Sequence, residues 1–139
     1  MNKLIFFLSS LLFIVNISKG GDSAIVKLVI IHYIYLHTDT QHDISCHEFD
    51  SYQEKGSFMT KKLITNAQIN LFMKSLSNYK APPLVKNIDV RAKDYIHYSN
   101  GKISIVCMDR FGDIMLDDKF IGVSSLLLSL LKNNCKGFE

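Results

Sequence analysis

The sequence is poor in residues that break a chain: it has two prolines, adjacent at Pro82-Pro83, and seven glycines in 139 residues. The glycines are scattered and form no phosphate-cradling loop, and no carboxylates pair at a catalytic spacing, so no cofactor is implied. There is no internal repeat and no low-complexity segment. Nor is there a strong charge excess. The formal net charge is +3, and Lys61-Lys62 is the only pair of adjacent basic residues. That is no electrostatic footprint for nucleic acid. The longest apolar run, Leu4 to Ile17, is interrupted by Ser9, Ser10 and Asn16 and falls short of the ~20 residues that span a bilayer.

That run reads instead as a secretory signal. Lys3 supplies the basic start and Ser18-Lys19-Gly20 the small residues near a cleavage point. Residues 1–20 are therefore expected to be removed, leaving 21–139 as one domain, periplasmic or secreted, without a membrane span. With Lys3 and Lys19 gone, fourteen basic residues face thirteen acidic ones. The three cysteines, Cys46, Cys107 and Cys135, then lie in an oxidising compartment where disulfides persist. Three thiols form at most one internal bridge. Cys107 is readable either as a buried free thiol or as the partner of Cys46, whereas Cys135 sits in a polar tail and is expected to be exposed.

Val90 to Asp117 reads as a three-stranded antiparallel meander. Its first turn, Ser99-Asn100-Gly101-Lys102, has the Asn-Gly pair that suits a two-residue loop with positive φ at both central positions. Counting back from it pairs Tyr98 with Ile103, Ile96 with Ile105 and Asp94 with Cys107. One face would then carry Val90, Ala92, Ile96, Tyr98, Ile103, Ile105 and Cys107 as core. The other would carry Arg91, Lys93, His97, Ser104 and Arg110 beside Tyr95, Val106 and Met108. The same count sets Arg91 against Arg110. Two bare like charges in that position require a bulge or an intervening anion.

The rest of the chain supplies layers for this sheet. Ala24 to Leu36 is apolar on both alternating sets, as in a strand covered on both faces, with His32 read as a satisfied core histidine. Ser45-x-x-Glu48 has capping-box form and predicts a short helix over Cys46 to Glu54, followed after Gly56 by a strand to Ile64. Thr65-x-x-Gln68 opens an amphipathic helix with Ile69, Phe72, Met73, Leu76 and Tyr79 on one stripe. Pro82-Pro83 ends it. A third meander strand, Ile114 to Asp117, becomes an edge, and a leucine-rich helix from Ser124 or Ser125 to about Asn134 closes the chain. The expected fold class is α+β: a two-layer domain in which a mainly antiparallel sheet of about four or five strands carries two helices on one face.

Three constellations invite chemistry. His32, His37, His42 and His47 recur every five residues, a spacing without ligand logic in a regular element, although a folded-back loop could bring His37, His42 and His47 to a metal. Cys107 near His97 suggests a cysteine nucleophile, but the counted register puts them on opposite faces. Arg91, Lys93, Tyr95, His97 and Arg110 together suit a protein partner or a small anionic ligand. The run Arg91-Ala92-Lys93, Asn100-Gly101-Lys102-Ile103 and Cys107-Met108-Asp109-Arg110-Phe111-Gly112 resembles the C-terminal part of small secreted bacterial proteins of uncharacterised function. That resemblance implies an envelope or secreted setting and carries no site residues. The reading that follows is an exported, non-enzymatic binding module, with a small metal- or cysteine-dependent enzyme using the His32 to His47 region or Cys107 as the alternative.

Overall fold

The computed structural model describes residues 24–52, 58–81, 84 and 86–139. The expected signal segment, Gly56 and Pro82-Pro83 lie outside the described residues. Among the described residues six strands form one antiparallel sheet: β1 (Val26–Tyr33), β2 (Met59–Leu63), β3 (Val90–Tyr98), β4 (Ile103–Asp109), β5 (Asp113–Leu116) and β6 (Lys119–Val123). Their order across the sheet is β2-β1-β3-β4-β5-β6. Helices α1 (Asn66–Ser77) and α2 (Ser125–Asn134) pack on one face, and the class is α+β as expected. Among the described residues no helix is long and apolar enough to cross a membrane.

Both helices start where local chemistry dictates. Thr65 and Gln68 close a complete capping box on α1, and the Ser124 side chain accepts from the Leu127 amide at the start of α2. These bonds satisfy amides that the first helical turn leaves unpaired. Ile69, Phe72 and Leu76 then bury against Leu127, Leu130 and Leu131 over Val29, Ile31, Ala92, Ile96, Val106 and Met108. Leu126 stays half exposed, so α2 has one covered stripe and not the wholly buried surface its leucines suggest.

The sheet departs from expectation at two of its turns. The β3–β4 connection has three residues. Gly101 N donates to Tyr98 O at 3.1 Å, Tyr98 N donates to Lys102 O at 3.0 Å, and only Gly101, at φ 83°, is left-handed. This is a type I turn followed by a left-handed glycine, the commonest three-residue hairpin loop. The register accordingly moves by one: Lys93 pairs with Cys107, Tyr95 with Ile105 and His97 with Ile103. Cys107 and His97 therefore share a face, contrary to the counted register. Positive φ at two consecutive non-glycine positions occurs instead at Asp117 (47°) and Asp118 (64°), which turn β5 into β6, a strand the sequence reading did not separate. Aspartate tolerates that region better than most residues.

The face opposite the helices is covered by the segment from Ile34 to Tyr52, here called the flap. It has no long helix. The Ser45 and Glu48 box is hydrogen-bonded, yet only a single 3-10 turn, Phe49–Ser51, follows. Ile44, Cys46 and Phe49 bury with Ile88, Val90 and Cys107 in a second, smaller core. A Cys46–Cys107 disulfide spans 61 residues and joins flap to sheet. Cys135 is free and 1% exposed, which corrects its expected position at the surface. After α2 the chain hooks back at Gly137 (φ 77°), and Phe138 O accepts from Leu36 N at 2.8 Å. This hook carries Cys135 and Phe138 into the helix-side core.

Candidate functional site

The polar side of the meander, expected to be an open surface, lies largely beneath the flap. Arg91 is 0% and Lys93 7% exposed. Their charges are met by two aspartates that sequence reasoning missed.

The first is Asp89. Arg91 is the extra residue of a bulge in β3, where Val90 pairs with Asp109 and Ala92 with Met108. Its guanidinium grips Asp89 through Nη1 to Oδ1 at 2.6 Å and Nη2 to Oδ2 at 2.5 Å. The other donors reach the carbonyls of Val90 (3.1 Å), Leu36 (3.4 Å) and Thr38 (3.3 Å). All five N–H groups of Arg91 are engaged, so this side chain clamps the flap and has nothing left for a ligand. Arg110 Nη2 reaches the same Asp89 Oδ2 at 3.2 Å. The conflict between Arg91 and Arg110 is thus resolved by both devices at once, a bulge and a carboxylate. Burial alone would raise the Asp89 pKa, but the Ile44 amide and the two guanidiniums outweigh it and hold the carboxyl below its ordinary range.

The second is Asp50, in the 3-10 turn of the flap. It accepts from Lys93 Nζ at 2.6 Å and from Tyr95 OH at 2.5 Å, and its other oxygen bonds His32 Nδ1 at 3.0 Å. His32 stacks on Phe58 with ring centroids 4.3 Å apart. Burial opposes ionisation of Asp50, yet these donors from Lys93, Tyr95 and His32 lower its pKa. Desolvation and the Asp50 charge raise that of Tyr95. A phenol held protonated in this way is a donor to Asp50 and no base. His97 is half-buried at the far end of the same face, and its side chain makes no hydrogen bond or ion pair with the other described residues.

Of the five residues proposed for ligand binding, Arg110 is placed at an opening. Its side chain is 34% exposed, with one hydrogen bond engaged and its guanidinium 6.0 Å from the Phe111 ring. It lines a cleft of about 280 Å³ with Asp43, Lys86, Asn87, Asp89, Asp109 and Phe111. Beneath the cleft, Asp109 Oδ1 accepts from the amides of Phe111 (2.8 Å) and Asp113 (2.9 Å). Burial first, and then the neighbouring Asp113 carboxylate, push the Asp109 pKa up to about 6 despite those amides. Lys86 is ion-paired with Asp113, which raises the lysine pKa. A smaller hollow of about 180 Å³, walled by Ser45, Cys46, His47, Ile88, Met115 and Asp118, also has Asn87 in its lining.

The histidines do not converge. His37, His42 and His47 are all exposed, and among the described residues no three His, Cys, Asp or Glu side chains gather as a metal-ligand group. Cys107 and Cys46 are bonded to each other, so neither has a thiol to ionise, and a nucleophilic role for Cys107 is overturned. The sequence did hold a signal for Asp89: the clash of Arg91 with Arg110 demanded an anion, and Asp89 stands two residues from Arg91. No comparable signal marks Asp50. No protein-family model, curated protein or solved structure matches the chain.

Proposed function

We propose that the protein is an exported, non-enzymatic binding module of a bacterial envelope or secreted setting, and that it takes the carboxylate of a small anionic ligand at Arg110. The observation that carries this reading is the contrast between two arginines on one aspartate. Arg91 is saturated and buried, whereas Arg110 is oriented by Asp89 and keeps free donors facing a cleft. A guanidinium fixed by its own counter-ion loses little side-chain freedom when it accepts a second carboxylate in a forked bond. Phe111, 69% exposed beside it, offers apolar contact. The disulfide suits an oxidising compartment, in line with the signal-like residues 1–20.

The test is a titration of isotopically labelled mature protein with succinate, followed by amide and arginine side-chain resonances. Saturable shifts at Arg110, Phe111 and Asn87, lost in Arg110→Gln, support the reading. Shifts elsewhere, or the same shifts in Arg110→Gln, reject the site. Intact mass of the chain recovered outside the cytoplasm tests export: retention of residues 1–20 there overturns the signal assignment.

A further inference from the structure

The most anomalous group lies on the other face of β3. Asp94 is 0% exposed, and neither carboxylate oxygen has a hydrogen-bond partner among the described residues. Its sheet neighbours on that face are Ile31 and Val106 across the strands and Ala92 and Ile96 along β3, all 0% exposed. The titratable groups that face this region from other elements are few. Cys135 of the hook is within electrostatic reach of Asp94, Lys61 of β2 lies across Ile31 in the same row, and Tyr33 of β1 is near Cys135. The buried residues of α1 and α2 and the neighbouring positions of β4 carry no charge. An ionised carboxylate in such surroundings is far too costly to persist, so Asp94 is protonated when the layer above it is closed. Burial pushes its pKa well up.

The layer above has one part, the hook, that lies outside the ladders and the helices. The hook is tied to the rest of the fold by Leu36 N to Phe138 O (2.8 Å), Tyr33 OH to Lys136 O (3.1 Å) and the Phe138 ring against Tyr33. Every strand neighbour of Asp94 is held by ladders on both sides. Relief of a charge at Asp94 therefore comes most cheaply by lifting the hook, and the side chain that moves with it is the Cys135 thiol.

We propose that Cys135 is a conditional modification site, in which ionisation of Asp94 releases the hook and exposes the thiol to exchange with a small-molecule disulfide such as oxidised glutathione. Asp94 gives its proton to water. The uncovered Cys135 loses its own proton, and the thiolate attacks one sulfur of the glutathione disulfide. A Cys135–glutathione bond forms, the glutathione S–S bond breaks, and the leaving thiolate takes up a proton. Cys135 is oxidised and one glutathione reduced. In the closed state burial pushes the Cys135 thiol up to about 12 and keeps it inert.

The experiment is intact-mass analysis of the mature protein in oxidised glutathione at about pH 5 and about pH 8.5, either side of neutrality. Wild type, Asp94→Asn, Asp94→Leu and Cys135→Ser are compared. All but the last share the titration of Cys135 itself, so the ratio of rates isolates Asp94. Wild type is expected to equal the Asp94 variants in acid and to react roughly tenfold faster in base, with Cys135→Ser unmodified. A ratio that stays at one, or label found on Cys46 or Cys107 by peptide mapping, overturns the proposal. If neither Asp94 variant folds, amide-exchange protection in wild type decides: Cys135 and Phe138 must lose protection relative to Ile96 as the pH rises, and constant relative protection overturns the proposal.

Discussion

One strand, β3, faces two layers of opposite character. Toward the flap it presents Arg91, Lys93 and Tyr95, each answered by a carboxylate from a loop. Toward the helices it presents Ala92, Ile96 and a single acid, Asp94, which nothing answers. The flap side shows how a segment almost without secondary structure is held: a disulfide, two charge clusters and a small apolar core replace the regular ladder. The helix side is held by packing and tolerates no such ionic arrangement. Burying a charge is stabilising or destabilising according to whether its partner was built with it.

The largest test of this contrast is the disulfide. Cys46→Ser with Cys107→Ser frees a loop of 61 residues and is expected to cost about 4 kcal/mol. Urea unfolding followed by circular dichroism measures it, since the chain has no tryptophan. A loss under about 1 kcal/mol would mean that the charge clusters hold the flap unaided. Next, Arg91→Ala removes five hydrogen bonds from a fully buried side chain and leaves Asp89 with the Ile44 amide and Arg110 alone. Its expected cost is about 3 kcal/mol, against about 0.5 kcal/mol or less for Arg110→Gln on the same aspartate at the surface. Equal costs would erase the distinction between the clamp and the open arginine.

A smaller pair of substitutions should differ in sign. Asp50→Asn weakens three hydrogen bonds and is expected to cost about 2 kcal/mol, while Asp94→Leu, removing an unsatisfied buried group, should stabilise by about 1 kcal/mol at neutral pH. The two sides also oppose each other in pH dependence. Asp50 and Asp89 have lowered pKa values, so their stabilisation is present above the ordinary carboxylate range and lost as the pH falls through their folded values. Asp94 and Asp109 have raised values. The folded state holds those protons more tightly, and stability falls as the pH climbs from the ordinary range, through about 6 for Asp109. Thermal melts across pH should show a maximum on the acid side of neutrality that moves upward in Asp94→Asn; an unmoved maximum argues that Asp94 does not titrate with folding.

Much of the helix side was legible because its signals are local. The Thr65 and Gln68 box, the Ile69–Phe72–Leu76 stripe and the Ser124 cap each speak within one or two turns of chain. The flap side was less legible because its signals are pairings across long separations. Asp50 meets Lys93 only through the fold, and Ile44 and Phe49 are isolated apolar residues in a polar stretch. Cys135 was misplaced because its burial depends on Phe138 turning back beyond Gly137. Asn100-Gly101 fits a two-residue and a three-residue loop equally well, and the choice between them reversed the faces of the hairpin.

That loop sets a limit on which changes of chain length the protein tolerates. Insertions and deletions are usually absorbed at hairpin tips, because a tip is exposed and touches little. Here a deletion of Lys102 would act as a frameshift in orientation: the three-residue loop Ser99-Asn100-Gly101 would bring Ile103 opposite Tyr98 and turn Cys107 toward α1 and α2, away from Cys46, whereas a deletion of Ser99 would keep Tyr98 opposite Lys102 across a two-residue loop. A relative shortened at Lys102 would need either a compensating bulge in β4 or no cysteine at 107 at all, while one shortened at Ser99 could keep both strand and disulfide.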